Sequence, residues 1–138
     1  KAMISLIPKP TPAEFVELGS GWGQFANQLA SLYPNTKVIG YERSVLPFLV
    51  SKLLYRRNNL DFHFVDFWQC TFPQGSVLFS YLYPEGMKKL SANTQSHQGW
   101  LISNTFSLPD HTPMKKLQLK DRFRSNVYLY KLPVEEGV

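Results

Sequence analysis

The chain has 138 residues, 43% of them hydrophobic and 14% aromatic, which suits one buried core at the usual size of about 100–200 residues per domain. Charged residues make up 18%, against roughly a quarter in ordinary soluble domains, and this composition excludes a disordered or fibrous chain. The formal net charge of +5 favours anionic partners, but the doublets Arg56-Arg57, Lys88-Lys89 and Lys115-Lys116 are scattered and form no single basic run.

Residues 1–13 contain Pro8, Pro10 and Pro12. Each proline fixes its own φ and pushes its predecessor out of the helical region, so an extended lead-in is expected before a domain over 14–138. Glu14 to Leu18 reads as a short strand ended by the run Gly19-Ser20-Gly21-Trp22-Gly23. From Gln24 to Tyr33, Phe25, Ala26, Leu29, Ala30 and Leu32 recur at helical spacing until Pro34-Asn35 interrupts them. Lys37 to Glu42 is a second strand. Ser44 is placed to cap a helix reaching about Arg57, with Leu46, Leu49, Val50, Leu53 and Leu54 on its apolar side. Asp61 to Val65 and Ser76 to Tyr81 read as the third and fourth strands, and Pro84 opens a short helix to about Leu90.

Beyond that helix the alternation stops. Trp100 to Phe106 reads as a fifth strand, and Leu117–Leu119 with Asn126–Leu132 as a closing hairpin. Strand–helix–strand repetition predicts an α/β domain with a mostly parallel sheet and an antiparallel hairpin at its end.

Cys70 stands alone, which excludes an internal disulfide framework and suits a reducing, cytoplasmic compartment. It is expected to act as a small buried hydrophobe. His63, His97 and His111 are dispersed, so no metal site is expected. No run approaches the roughly 18 apolar residues of a membrane helix. The chain opens on Lys1, as the core of a longer protein would, and membrane association through a preceding segment stays open.

The chemical signal is strongest in Glu17-Leu18-Gly19-Ser20-Gly21-Trp22-Gly23, between a strand and a helix. Glycines permit a tight turn and close backbone approach by a ligand, and the next helix offers its first amides. A dinucleotide fingerprint needs G-x-G-x-x-G, and Gln24 stands where its third glycine belongs. G-x-G-x-G instead resembles motif I of S-adenosylmethionine (SAM)-dependent methyltransferases. Glu42 ends the second strand, where a carboxylate can accept from both hydroxyls of a ribose. Asp66-Phe67 follows the third strand, placed for the adenine amine and an apolar wall beside it. These residues occupy three successive strand ends, the place where open α/β sheets bind ligands.

The segments ELGSGWGQFA, VIGYERS, FVDFWQCTF, VLFSYLYPEGMKKL and ISNTFSLPDHTP resemble the small lysine methyltransferases that modify the ATP synthase c-subunit, and their prokaryotic relatives. The resemblance spans roughly residues 14–132. It implies the Rossmann-like class I methyltransferase fold, SAM as cofactor and a protein lysine as acceptor, membrane-associated substrates included. On these positions Glu17, Gly19, Ser20, Gly21 and Gly23 belong to motif I, Glu42 is the ribose acid, and Asp66 with Phe67 holds the adenine. Tyr81 and Tyr83 are the candidates for an apolar acceptor channel, followed by Trp22 and Trp68. Two features depart from the family, the short proline-rich lead-in and the Tyr81-Leu82-Tyr83-Pro84 end of strand four. Methylation of RNA or a small molecule is the alternative, weakened by the missing Asn-Pro-Pro-Tyr signature. A SAM-binding module without turnover is the third reading. The oligomeric state is left open.

Overall fold

Alternation in the strands decides which side chain reaches which side of the sheet. In β1 (Glu14–Leu18), Phe15 and Glu17 point to one face while Val16 and Leu18 point to the other. The computed structural model describes residues 2–133 and places seven strands in one sheet of order β3-β2-β1-β4-β5-β7-β6. Besides β1 these are β2 (Lys37–Glu42), β3 (Leu60–Phe64), β4 (Val77–Ser80), β5 (Gly99–Asn104), β6 (Lys115–Gln118) and β7 (Asn126–Leu132). β1 to β5 run parallel, and β7 pairs antiparallel with both β5 and β6. The expected α/β class, the parallel sheet and the closing hairpin are all present.

The helices are α1 (Ala2–Ser5), α2 (Gln24–Leu32), α3 (Val45–Leu54) and α4 (Pro84–Asn93). Two cores flank the sheet. One gathers Phe15, Val38, Phe62, Val77, Phe79 and Ile102 under α2 with Leu6 and Ile7, and the other gathers Val16, Leu18, Leu78 and Leu101 under α4 with Leu108 and Tyr130. Asn59 ties the α2–β2 corner by donating its amide to the carbonyls of Ala30, Tyr33 and Thr36.

Several expectations are corrected here. The lead-in is not wholly extended, because residues 2–5 make one helical turn that brings Leu6 and Ile7 into the core. The apolar residues ahead of Pro8 gain more from burial than from an extended path. The leucines of α3 do not face the core. Phe48, Ser51 and Tyr55 turn inward, while Leu46, Leu49, Leu53 and Leu54 face solvent. Ser51 is the smallest side chain on the helix, and it lets α3 approach Gly23 closely. Ser44 occupies the cap position of α3 without a side-chain hydrogen bond; a Glu42 carboxylate oxygen takes its backbone amide instead. Strand β5 ends two residues early, where Thr105 adopts a left-handed φ of 73°, and α4 runs three residues past Leu90. Cys70 is half-buried, its thiol 3.7 Å from the Asp66 carbonyl.

Candidate functional site

The glycine turn after β1 is locked onto β2, since the Gly19 and Ser20 amides both donate to the Tyr41 carbonyl at 2.9 and 2.8 Å. Gly19, Gly21 and Gly23 have φ of 77°, 55° and 89°, a region that costs other residues roughly 1–2 kcal/mol. Their surroundings differ. A Cβ added at Gly19 or Gly21 meets nothing within 4 Å, but one at Gly23 lies 2.6 Å from Ser51 Cβ and 2.9 Å from Phe62 Cζ. The first two glycines therefore leave an open side for a ligand, and the third lets α2 and α3 pack together. The Ser20 side chain is buried against Gly40 of β2 and lines neither of the two cavities beside the glycine turn.

β1 and β2 end in register, with Leu18 opposite Tyr41, so Glu42 reaches the glycine turn. Its Oε1 accepts from the Gly21 amide at 3.2 Å and its Oε2 from the Ser44 amide at 3.3 Å. Each carboxylate oxygen keeps a second lone pair, the capacity a ribose diol requires. Glu42 shares a cleft of about 290 Å³ with Gly19, Tyr41, Arg43, Asp66, Phe67, Trp68 and Leu82. Asp66 caps a 3-10 turn over Phe67–Gln69, its Oδ1 accepting from the Trp68 amide at 3.1 Å. The Phe67 and Trp68 rings lie 4.5 Å apart, an apolar wall beside that carboxylate.

Gly19 also lines a second cavity, about 210 Å³, with Glu17, Phe79, Ser80, Tyr81 and Asn104 in its wall. It opens between the ends of β1 and β4, where the chain crosses from one half of the sheet to the other, the place where such sheets hold ligands. Glu17 Oε1 is buried without a hydrogen-bond partner among the described residues. Burial pushes its carboxyl up to about 8, against a downward pull from the Ala26 amide and with a smaller upward push from the Glu42 charge. An orphaned buried acceptor costs free energy unless a donor arrives. A ligand carrying an ammonium group at one end and a ribose at the other fits this pair of cavities.

Tyr81 and Tyr83 are 60% and 72% exposed, and both flank Phe106, with ring centroids 6.3 and 5.6 Å from it. Tyr81 also lines the Glu17 cavity, so it does not face the sheet core. Phe106 is held by its own loop. Its carbonyl accepts from the Ser103 hydroxyl at 2.6 Å, and two residues on, the Leu108 amide donates to the Tyr130 hydroxyl at 2.9 Å. Sequence reasoning singled out the F-x-L-P segment without assigning Phe106 to the site. Asn104 and Leu82 had no local motif to mark them. Trp22 is half exposed and lines neither cavity, whereas Trp68 lines the Glu42 cleft.

Residues 17–115 match the ANTKMT methyltransferase domain, so the chain belongs to that family. No curated protein sequence matches significantly. Among solved structures, an RNA methyltransferase from Salinibacter ruber in complex with S-adenosyl-L-homocysteine is similar at 18% identity and a TM-score of 0.85, over 99% of this chain and 91% of that one. A fibrillarin/Nop5p complex gives 15% identity and 0.66, over 95% and 79%. The plantazolicin methyltransferase BpumL gives 16% and 0.59, over 72% and 41%. The chain has the Rossmann-like class I fold of a SAM-dependent methyltransferase, and SAM is the cofactor of that class.

Proposed function

We propose that this member of the ANTKMT methyltransferase domain family transfers the methyl group of SAM to the side chain of a protein lysine. SAM supplies the methyl group as a sulfonium, already a good leaving group. Glu42 is the acceptor for the ribose hydroxyls, Asp66 and Phe67 flank the adenine, and Glu17 accepts from the methionine ammonium. Gly19 and Gly21 keep the backbone open to the ligand. The observation that supports the lysine assignment is the aromatic group in which Tyr81 lines the Glu17 cavity and, like Tyr83, lies beside the Phe106 ring. A lysine stem packs against such rings, and apolar surroundings penalise its ammonium and favour the neutral amine that attacks. No paired acid and base is required. Alignment and exclusion of water are the protein's main contribution.

Incubation with labelled SAM and a membrane fraction, followed by mass spectrometry, should place the label on a lysine ε-nitrogen. The amine has a free pKa of about 10.4, so the rate should rise about tenfold per pH unit and flatten at its value in the site. Label found only on RNA, a carboxylate or a small metabolite would reject the lysine assignment.

One observation favours RNA as the second reading. Lys115 and Lys116 on β6, with Lys120, Arg122 and Arg124 in the turn to β7, concentrate cations against Asp121 alone, and the similar Salinibacter ruber protein is an RNA methyltransferase. A cation cluster of this kind binds phosphates without reading sequence. The third reading is a SAM-binding module without turnover, which binding without methyl transfer to any acceptor would favour.

A further inference from the structure

The outward face of α3 is apolar from end to end. Val45, Leu46, Leu49, Leu53 and Leu54 are each more than half exposed, and only Phe48, Ser51 and Tyr55 turn toward the sheet. Phe64, at the end of β3, is 51% exposed with its ring 5.5 Å from Phe48, and it extends the patch. A surface helix ordinarily carries polar residues on the side away from the core. Single exposed leucines need no explanation, but a contiguous apolar face marks a surface that something covers.

The charges around this face identify the cover. From Arg43 to Leu60 the chain carries Arg43, Lys52, Arg56 and Arg57 and not one Asp or Glu. Beside the end of the helix lies an open depression of about 560 Å³ walled by Lys52, Arg56, Arg57 and His63, with Asp61 as the one acidic residue lining it. Arg57 Nε is engaged with Asn27 at 2.8 Å, and Lys52 sits over the Phe48 ring. A second copy of this face would bring cations against cations. An anionic lipid surface satisfies both halves of the pattern, since acyl chains accept the leucines and phosphates accept the cations.

We propose that α3 seats in the interface of an anionic phospholipid bilayer, with Leu46, Leu49 and Leu53 in the acyl boundary and Lys52 and Arg56 at the phosphates. The helix has 10 residues, about 15 Å of length, against roughly 30 Å of hydrocarbon. It lies in the plane of the membrane. Among the described residues no helix is long and apolar enough to cross one. Arg43 and Ser44, just before α3, line the Glu42 cleft, so the docked helix holds that cleft at the bilayer surface. This inference does not rest on the nature of the methyl acceptor.

The test is co-sedimentation of the full chain with vesicles of phosphatidylcholine alone or mixed with phosphatidylglycerol. The wild type should bind the mixed vesicles and release them as salt rises. Combining Leu49→Glu with Leu53→Glu should weaken binding at least tenfold, and Lys52→Ser with Arg56→Ser by about fivefold per cation. S-adenosylhomocysteine affinity and the thermal melt should stay unchanged in each variant. A polarity-sensitive dye on Leu46→Cys in a Cys70→Ser background should blue-shift with mixed vesicles, a readout independent of how well the Glu variants fold. Failure of the wild type to bind mixed vesicles overturns the proposal, as does equal binding by a folded leucine variant. A wild-type dimer that the leucine change converts to monomer overturns it in favour of a second copy.

Discussion

Glu17→Gln removes the ionisable group from the cavity between β1 and β4 and keeps the shape of the side chain. The Glu17 carboxyl rises from 4.5 to about 8 on folding, chiefly through burial, and at 1.36 kcal/mol per pH unit the ionised form costs up to about 5 kcal/mol in the empty cleft. Between those two values the folded protein holds a proton that the unfolded chain has lost. Stability therefore falls as pH rises through that window, and the penalty is complete above about 8. The Gln variant carries no such penalty, so it should be the more stable protein at pH 8 and no more stable than wild type near pH 4.5.

A ligand ammonium reverses the balance, because it favours the carboxylate. With a carboxyl pushed up to about 8, S-adenosylhomocysteine binding at pH 7 should release most of a proton, and affinity should improve with pH from about 6 to 7.5. At higher pH the ligand's α-amino group loses its own proton, and that titration works in the opposite direction. Calorimetry in two buffers of different ionisation enthalpy measures the proton directly. In Glu17→Gln the release should vanish and the pH slope should flatten. A wild type that releases no proton, or a variant with the same slope, would refute the assignment of Glu17 to the ammonium.

The other site predictions separate ligand contacts from packing. Glu42→Ala removes the proposed ribose acceptor and strips the Gly21 and Ser44 amides of their partner; hydrogen bonds to a charged group are worth about 1.5–3 kcal/mol each, so calorimetry should find at least a tenfold loss of SAM affinity. Gly21→Val should abolish SAM binding in a protein that still folds, since its Cβ enters open space on the ligand side. Gly23→Ala should do the reverse, lowering stability in a denaturant melt by about 1–3 kcal/mol through its clash with Ser51 and Phe62. Tyr83→Ala and Phe106→Ala should lower turnover more than SAM affinity, because neither side chain lines the Glu42 cleft.

Most of the sheet was legible because its signals are local. Proline and glycine punctuate the first four strands, and the switch from period two to helical spacing separates Glu14–Leu18 from Gln24–Leu32. The candidate residues were legible for the same reason, since an acid or glycine at a strand end stands beside the ligand edge wherever the sheet is parallel. What local pattern leaves out is distance in three dimensions. Asn104 and Phe79 reach the Glu17 cavity only because β4 and β5 line up beside β1. The Phe67–Gln69 turn is made by Asp66 capping the Trp68 amide over a few residues, too short for periodicity to register.

Helix α3 is the clearest case of packing deciding what local pattern does not. Its apolar residues repeat at helical spacing, which correctly identifies a helix, yet both of its faces are apolar and the period alone gives no preference between them. Packing distance decides the orientation. Gly23 has no Cβ and Ser51 carries only a hydroxymethyl group, so the two backbones come closer than a leucine would permit. A close approach there gains the contacts of Phe48 and Tyr55 with the core, and it turns the leucines outward. Retaining five exposed apolar side chains on ten residues brings no packing benefit to the isolated domain. The proposed docking on an anionic lipid surface would cover those side chains and set the surrounding cations against phosphates.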